Sequence, residues 1–573
     1  MKIADKQKLY DAGAAVLIAV LFCLPMYSGM IRSGSDTAFH MARMLQLSEA
    51  LRHGDLYPRI FPEMHMGFGY GSPLFYSVCL LYPAALLILG GIPLLMAWRI
   101  NIIIIVFAAS LAFITFVRPM CRHRWTPVFS AALCMLNPYV LANCYKRGAL
   151  GEMLAMVFLP VVLCGIRELF FRKKNGTAAV AAGFCGLILS HNISFVLAMV
   201  LLGIFCALNL RRKNIRRIVP QLFLGLFTAF LLTAFFTLPM LEQLQTHLYR
   251  ISGYFGEISL ADSACSLKEF FLFGLDDDVM MCVCPGLCAL LGFGALLTGS
   301  RMQKQCFGIG VVMMFCATKL FPWKYLPWFS FMQFPARFLT PAVILMSAAS
   351  AAVIDLILLR GRRQLKIALP AVMILFVIVH DVQLYGNWGS FHDDLSIEKI
   401  FDEKRIFGER AWYNRMELSS PDYLPQHTAV DYYAYDRAHA HCDGQTAELE
   451  RSYGKLVFTA QNDGYWVVPK TFYTGYRAVV LDENGKKTGN LPVSMDPETG
   501  LVRIEVTGAP AQIRVYYGIT VIQVLSDLLT LGGIVLSILF FYERRLNSSP
   551  STTSTPSRIY GLLRIKELPF LSR

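Results

Sequence analysis

The chain has 573 residues, of which 55% are hydrophobic and 16% charged, against roughly 25% charged in an ordinary soluble chain. Apolar runs of around 20 residues recur along it, each long enough to cross a hydrocarbon core of about 30 Å, which excludes a cytosolic globular enzyme. The formal charge of +14 falls in short clusters between those runs, the pattern of cytoplasmic loops. No aromatic-interleaved basic patch accompanies it, so nucleic acid is excluded as a partner.

The first run, Ala14 to Met30, follows the basic start Lys2 to Lys8 and lacks a small-residue cleavage site. It is expected to be an uncleaved span with a cytoplasmic N-terminus. Further runs lie at 99–117, 127–143, 150–170, 177–190, 193–209, 218–239, 279–299, 306–320, 338–359, 366–385 and 518–542, which makes about twelve spans of a polytopic α-helical membrane protein. The run Leu74 to Leu95 is interrupted by Pro83, Gly90, Gly91 and Pro93. If it does not span, the clusters at Arg118/Arg122/Arg124, Arg172/Lys173/Lys174, Arg211–Arg217, Arg301/Lys304, Arg360–Lys366 and Arg544/Arg545 all share the cytoplasmic side with the N-terminus. It is therefore expected to be an interfacial or re-entrant helix on the outer face.

This topology gives a transmembrane domain at 1–385 with its first exterior loop at 31–97. An exterior soluble domain follows at 386–517, then a last span at 518–542 and a cytoplasmic tail at 543–573 whose Ser/Thr/Pro-rich stretch is expected to be flexible. From about residue 455 the soluble domain alternates apolar and polar residues between turns such as Asn462-Asp463-Gly464 and Glu483-Asn484-Gly485. Strands are expected at 456–458, 465–468, 478–481, 501–506 and 513–516, forming a small β-sandwich.

The 15 cysteines lie mostly in apolar runs, where a free thiol behaves as a small hydrophobe. Cys282, Cys284 and Cys288 enter a membrane segment with no histidine nearby and are expected to be core residues, not metal ligands. Cys265 and Cys442 fall in exterior stretches, which leaves one disulfide between them open. Asp276-Asp277-Asp278 is expected to be a solvated loop, because consecutive residues do not share a face.

The chemistry-bearing residues gather outside. Asp36, His40 and Arg43 are spaced i, i+4, i+7 directly after the first span, so on a helix they form one polar stripe. Two readings stand: Asp36 is the N-cap of an amphipathic interfacial helix whose His40 and Arg43 face lipid head groups, or the stripe belongs to a site. Downstream come Gly67-Phe68-Gly69-Tyr70-Gly71-Ser72-Pro73, then Arg147-Gly148-Ala149-Leu150-Gly151-Glu152, Ser190-His191-Asn192, Leu238-Pro239 with Glu242, Gln333-Phe334-Pro335-Ala336-Arg337-Phe338 and Asp422-Tyr423-Leu424-Pro425. Glu152, just inside a span, is expensive unless it is paired or functional. Arg147 at i, i+5 is its nearest cation, and His191 either caps a short helix or meets a sugar.

Taken together these elements resemble the GT-C superfamily of membrane glycosyltransferases, and more narrowly the bacterial YfhO-type and pyruvoyl-tetrahydropterin-synthase-related membrane proteins, a label that names a lineage and not an activity. The resemblance covers nearly the whole chain and departs from the pattern at Ala336, where an aromatic is common. It implies an inverting glycosyltransferase that takes a sugar from a polyprenyl-phosphate donor at the outer face and gives it to a cell-envelope polymer, lipid or protein. Asp36 would be the catalytic base, Glu152 a second carboxylate, and His40, Arg43, Arg147, His191, Arg337 and Tyr423 would contact substrate, Arg337 first among them as the phosphate clamp. The logic of the chemistry is independent of the resemblance: a hydroxyl attacking an anomeric carbon needs a carboxylate to take its proton, and a leaving phosphate needs cations. A divalent metal on Asp36 and Glu152, with His40 or His191 as nitrogen donors, stays open. No Walker or Rossmann glycine pattern occurs, which argues against a nucleotide donor. A flippase of lipid-linked saccharide and a non-catalytic envelope assembly factor are the competing readings, but the chain has no internal repeat of the transporter kind.

Overall fold

The computed structural model describes residues 3–27, 36–251, 259–267, 284–386, 421–426, 428 and 434–547. The Asp276–Asp278 run, Cys282 and the Ser/Thr/Pro tail lie outside the described residues.

Helix α1 (Ile3–Cys23) is followed by α2 (Thr37–Arg52), the short helices α3 (Ser72–Phe75) and α4 (Tyr82–Leu89), and the long α5 (Leu94–Val117). The run 74–95 thus contains no continuous helix. Its longest piece, Cys79–Leu89, joins a 3-10 turn to α4 and reaches only about 16 Å at 1.5 Å per residue, short of a hydrocarbon core. Next come α6 (Thr126–Met135) and α7 (Pro138–Ala142), which with the π-turn Asn143–Arg147 form a pair bent by 46°. The bend sits at Asn137-Pro138. A residue before proline is pushed to extended backbone, and Asn137 stands at φ −75°, ψ 138° with its side chain accepting from the Tyr139 N–H.

Helices α8 (Leu150–Ile166), α9 (Thr177–Ser190), α10 (Asn192–Asn209) and α11 (Arg212–Thr246) follow, then a broken helix at 287–298, α12 (Arg301–Cys316), α13 (Leu339–Arg360), α14 (Arg363–Gly386) and, after the β-region, α15 (Val521–Asn547). Among the described residues, each apolar run thus contains helix. Among the described residues seven helices are long and apolar enough to cross a membrane, or eight with the bent pair as one. Of the four runs that make up the difference from about twelve, three are short pieces and the fourth is the 24-residue α14. With 14 residues, α9 covers about 21 Å, and α12 and the 287–298 helix are similarly short. Helix α13 is the axis of the bundle, with fifteen of its residues buried, while α15 packs along α11, where Gly533 lets the two backbones close over Leu231.

The C-terminal region is a two-sheet sandwich of ten strands: β1 (His439–Cys442), β2 (Gln445–Glu448), β3 (Glu450–Ser452), β4 (Lys455–Ala460), β5 (Gly464–Thr471), β6 (Tyr476–Leu481), β7 (Lys487–Leu491), β8 (Val493–Met495), β9 (Leu501–Val506) and β10 (Ala511–Tyr517). The sheet orders are β2-β1-β5-β9-β8 and β3-β4-β10-β6-β7. Both sheets face one core that includes Phe458, Trp466, Ile504 and Ile513, and β4 alternates exposed and buried residues as a half-buried strand must. The sandwich begins at His439 and not near 455. Strand β1 alternates over only four residues, and β2 and β3 are polar and short, so little hydrophobic signal precedes β4. Cys265 and Cys442 are separate buried thiols, which removes the disulfide.

Several contacts set the sandwich against the first loop, among them the Thr471 N–H donating to the Phe68 carbonyl at 2.8 Å. Lys470 Nζ, fully enclosed, donates to the carbonyls of Pro62 (3.0 Å) and Gly67 (2.7 Å). Gly71 lies so close to the Tyr473 ring that a Cβ there would meet it at 2.5 Å.

Candidate active site

Helix α2 is not an amphipathic surface helix. Twelve of its residues are buried, and His40 and Arg43 are 3% and 1% exposed, so neither faces lipid head groups. Asp36 does occupy the N-cap position, but its side chain makes no capping hydrogen bond. It makes no other hydrogen bond or ion pair among the described residues.

What holds Asp36 in place is its backbone. Its N–H donates to the Arg147 carbonyl at 2.8 Å, and its own carbonyl accepts from the His40 N–H at 3.0 Å. This contact depends on the break between the π-turn and α8. Gly148 sits at φ +67°, and a Cβ there would lie 2.1 Å from Thr37 Oγ1; at Gly151 a Cβ would meet Tyr76 Oη at 1.9 Å. Both glycines of the 147–152 motif are thus required by close approach, one of them also by a left-handed backbone.

The same break explains how Arg147 reaches Glu152 at i, i+5, which one continuous helix would not favour. Arg147 Nη1 is 2.9 Å from Glu152 Oε1 and 2.7 Å from Asn143 Oδ1. Arg337 Nε approaches the same Glu152 oxygen at 3.4 Å, an ion-pair contact without hydrogen-bond alignment. Glu152 Oε2 accepts from Tyr139 Oη (2.9 Å), Thr340 Oγ1 (3.0 Å) and Asn143 Nδ2 (3.2 Å). A carboxylate 2% exposed in an apolar helix is thereby fully matched, as a buried charge must be. Arg337 also donates through Nη1 to the Met332 carbonyl and Gln333 Oε1. The Nη2 groups of Arg147 and Arg337 donate to nothing among the described residues.

These groups surround one cavity of about 300 Å³. Of the residues singled out from sequence, Asp36, His40, Arg147, Glu152, His191, Arg337 and Tyr423 line it. Arg43 does not. It lies behind the wall, where Nη2 donates to the carbonyls of Tyr76 (2.5 Å) and Ser77 (3.0 Å) and the guanidinium stacks on Tyr76 at 4.3 Å. Tyr423 stacks flat on Phe75 at 5.3 Å, and its carbonyl accepts from Tyr473 Oη of the sandwich at 3.0 Å, so the sandwich helps to close the cavity. His191 does both things its sequence position left open. Its Nδ1 accepts from the Ser194 N–H and caps α10, which places the ring proton on Nε2, and the ring lines the cavity.

Burial pushes the Asp36 carboxyl above the usual carboxylate range, against the opposing pull of Arg147 and Arg337. His40 is held well below its ordinary value by burial, then by Arg43 and His191. His191 is pulled down to about 3 by burial and then by Arg337. Both imidazoles are therefore neutral near pH 7. The donor set does not fit a divalent cation. Glu152 already carries two guanidinium contacts and three neutral donors, so a metal there would displace an ion pair, and among the described residues no three His, Cys, Asp or Glu side chains converge on a point.

Sequence reasoning missed Tyr139, Asn143 and Thr340 as the residues that hold Glu152. A signal existed for two of them: Tyr139 and Asn143 are polar residues at i, i+4 inside an apolar run and so share a face.

No protein-family model matches the chain. A protein of Lactococcus lactis subsp. cremoris (strain MG1363), described as an uncharacterized protein, is 28% identical over 256 residues, 42% of this chain and 40% of its own length. The fold is similar, at TM-score 0.43 and 16% identity, to the cryo-EM structure of arabinofuranosyltransferase AftD from Mycobacteria, over 65% of this chain and 26% of that one. A mutant form of AftD aligns with TM-score 0.40 over 65% of this chain and 28% of its own. The chain thus spans well under half of the length of each protein it resembles.

Proposed function

We propose that the chain is a membrane glycosyltransferase of the GT-C type that moves a sugar from a polyprenyl-phosphate-linked donor to an acceptor hydroxyl of a cell-envelope molecule, with inversion, at the outer membrane face. The observation that carries this reading is a pairing inside one cavity: a half-buried carboxylate, Asp36, whose side chain has no partner among the described residues, beside two guanidinium groups, Arg147 and Arg337, that keep donors unused by those residues. In the proposed step the acceptor oxygen forms a bond to the anomeric carbon while the bond from that carbon to the phosphate oxygen breaks. The proton passes to Asp36, and the electron pair leaves with the phosphate, whose charge the two arginines meet. Glu152 acts as a positioning residue that anchors both arginines. His191, neutral with its proton on Nε2, donates to a sugar hydroxyl, and Tyr423 forms an aromatic wall. No step passes through a metal.

The test uses the purified full chain in nanodiscs with a radiolabelled polyprenyl-phosphate sugar and an envelope-extract acceptor. Asp36→Asn is expected to lower transfer by about 10²–10⁴-fold, the range for a lost general base, with the fold unchanged. Transfer at the native rate by a folded Asp36→Asn chain overturns the reading.

A further inference from the structure

A second and larger cleft, of about 1120 Å³, lies on the other side of an aromatic partition from the candidate active site. The partition is one packed cluster. Ile60, Tyr476 and Tyr517 line the cleft, Phe75 and Tyr423 line the active-site cavity, and Tyr249 and Tyr473 join them.

The cleft joins two environments. Its upper end is formed by the sandwich and the end of α2, where Tyr453 stacks flat on His53 at 4.2 Å. Its lower end is formed by Phe235 of α11 and by Thr530, Leu531 and Ile534 of α15, within the last apolar segment. Leu531 and Ile534 are 58% and 42% exposed. Arg59 closes the gap between the two ends. Pro239 has no N–H, so the Phe235 carbonyl four residues earlier lacks its helical donor; Arg59 Nη1 donates to it at 2.6 Å, while Nη2 pairs with Asp527 at 3.2 Å.

We propose that this cleft binds a glycolipid, with an aliphatic chain along Phe235, Leu531 and Ile534 and a saccharide against the tyrosines above; naming it the acceptor of the reaction rests on the function proposed above. Four observations favour this occupant. The cleft is continuous from an apolar helix surface to a polar exterior domain, which suits a molecule with one apolar and one polar end. Five tyrosines line it, namely Tyr57, Tyr453, Tyr476, Tyr516 and Tyr517, and flat amphipathic rings suit the apolar faces and hydroxyls of sugars. The cations that could instead hold a phospholipid headgroup are engaged: Arg59 by Asp527 and Lys470 by two backbone carbonyls, leaving Lys455. Its volume also exceeds that of a usual small-molecule pocket of about 300–1,000 Å³, which suits several sugar units.

The experiment uses the full chain in detergent and a hexadecyl tetrasaccharide glycoside bearing a diazirine near the end of its chain. Two controls run beside it, a hexadecyl phosphocholine with the same diazirine and the unlinked tetrasaccharide. The glycoside is expected to label the peptide 527–534 and to do so about ten-fold less in Leu531→Trp, which fills the lower end, and in Tyr453→Ala, which removes the upper wall. Each variant is checked for a monodisperse size-exclusion profile, and either one alone carries the test. Equal labelling by the phosphocholine probe, or labelling unchanged in the folded variants, overturns the proposal. Asp36→Asn should bind the glycoside like the native chain. Glycoside binding without sugar transfer in the native chain would therefore sink the proposed function and leave the cleft standing, whereas transfer by Leu531→Trp with an unchanged acceptor KM would remove the cleft as the acceptor site.

Discussion

Glu152→Gln is the substitution on which the organisation of the site turns. The carboxylate accepts from opposite directions: Arg147 and Arg337 on Oε1, and Tyr139, Asn143 and Thr340 on Oε2. An amide has one acceptor oxygen and one NH₂, so it either sets the NH₂ against the two guanidinium donors or turns it to the other side, where the Tyr139 and Thr340 hydroxyls can rotate to accept but the Asn143 amide still donates. It also leaves two buried guanidinium groups without their counter-charge. Removing one partner of a buried ion pair costs about 3–5 kcal/mol, and because both sides of this carboxylate are occupied the upper half of that range is expected. That is a large share of the roughly 5–15 kcal/mol that holds a folded domain together. Thermal unfolding of the full chain in detergent, followed by tryptophan fluorescence, reads the loss. The double variant with Arg337→Gln removes one of the two stranded charges as well and should be more stable than the sum of the two single losses by about 0.5–3 kcal/mol. If Glu152→Gln unfolds with the native chain, or if the two costs simply add, Glu152 is not the anchor of the arginines.

Three further outcomes follow from the same geometry. Asp36 must be deprotonated to act as a base, and burial raises its pKa, so kcat should be retained at neutral pH and fall off through a pH above the ordinary carboxylate value of about 4. Arg337→Gln removes one charge that lowers that pKa and should move this acid limb of the kcat profile further up; a limb that stays or moves down refutes the assignment. Arg43→Leu strips two backbone carbonyls of their donor, at about 1–3 kcal/mol each for buried groups left unpaired, and should raise protease cleavage around 70–80, whereas native-like protection would show that Arg43 does not hold that loop. Gly148→Ala combines left-handed strain of about 1–2 kcal/mol with a Cβ placed 2.1 Å from Thr37 Oγ1. It should lose markedly more stability than Gly91→Ala, where φ is +89° but the space is open, and equal losses at the two positions would show that the Thr37 contact is not tight.

Much of the helical layout was legible because apolar runs and their interruptions are local signals. Asn137-Pro138 bends its run, and the glycines and prolines of 74–95 leave no continuous helix there. Span length was less legible. Hydropathy marks the apolar residues of α9 and α12 but not where a tight turn ends the helix after 14 or 16 residues. In the sandwich, strands β4, β5, β6, β9 and β10 carry hydrophobic alternation and stood out. Strands β1 to β3 read His-Ala-His-Cys, Gln-Thr-Ala-Glu and Glu-Arg-Ser, and they are strands because neighbouring strands offer hydrogen bonds, a cause that lies outside their own residues.

The site shows the same division more sharply. The spacing of Asp36, His40 and Arg43 revealed a polar stripe, but whether the stripe met lipid or protein depended on Tyr76 and Arg147, far along the chain. The cost of Glu152 in an apolar span demanded a partner, and Arg147 was visible as one. Thr340, 188 residues away, and Arg337 were not visible as partners, since only tertiary packing brings α13 against α8. What separates the two carboxylates is how fully each is met. Glu152 has its charge and both oxygens engaged by five side chains, so it has no free position from which to take a proton from a substrate. Asp36, whose hydrogen bonds among the described residues are backbone ones, keeps both oxygens free of them at the edge of the same cavity. Two acidic residues that sequence treats alike thus stand in different surroundings, Glu152 locked to the arginines and Asp36 exposed to the cavity, and this difference underlies the roles proposed for them.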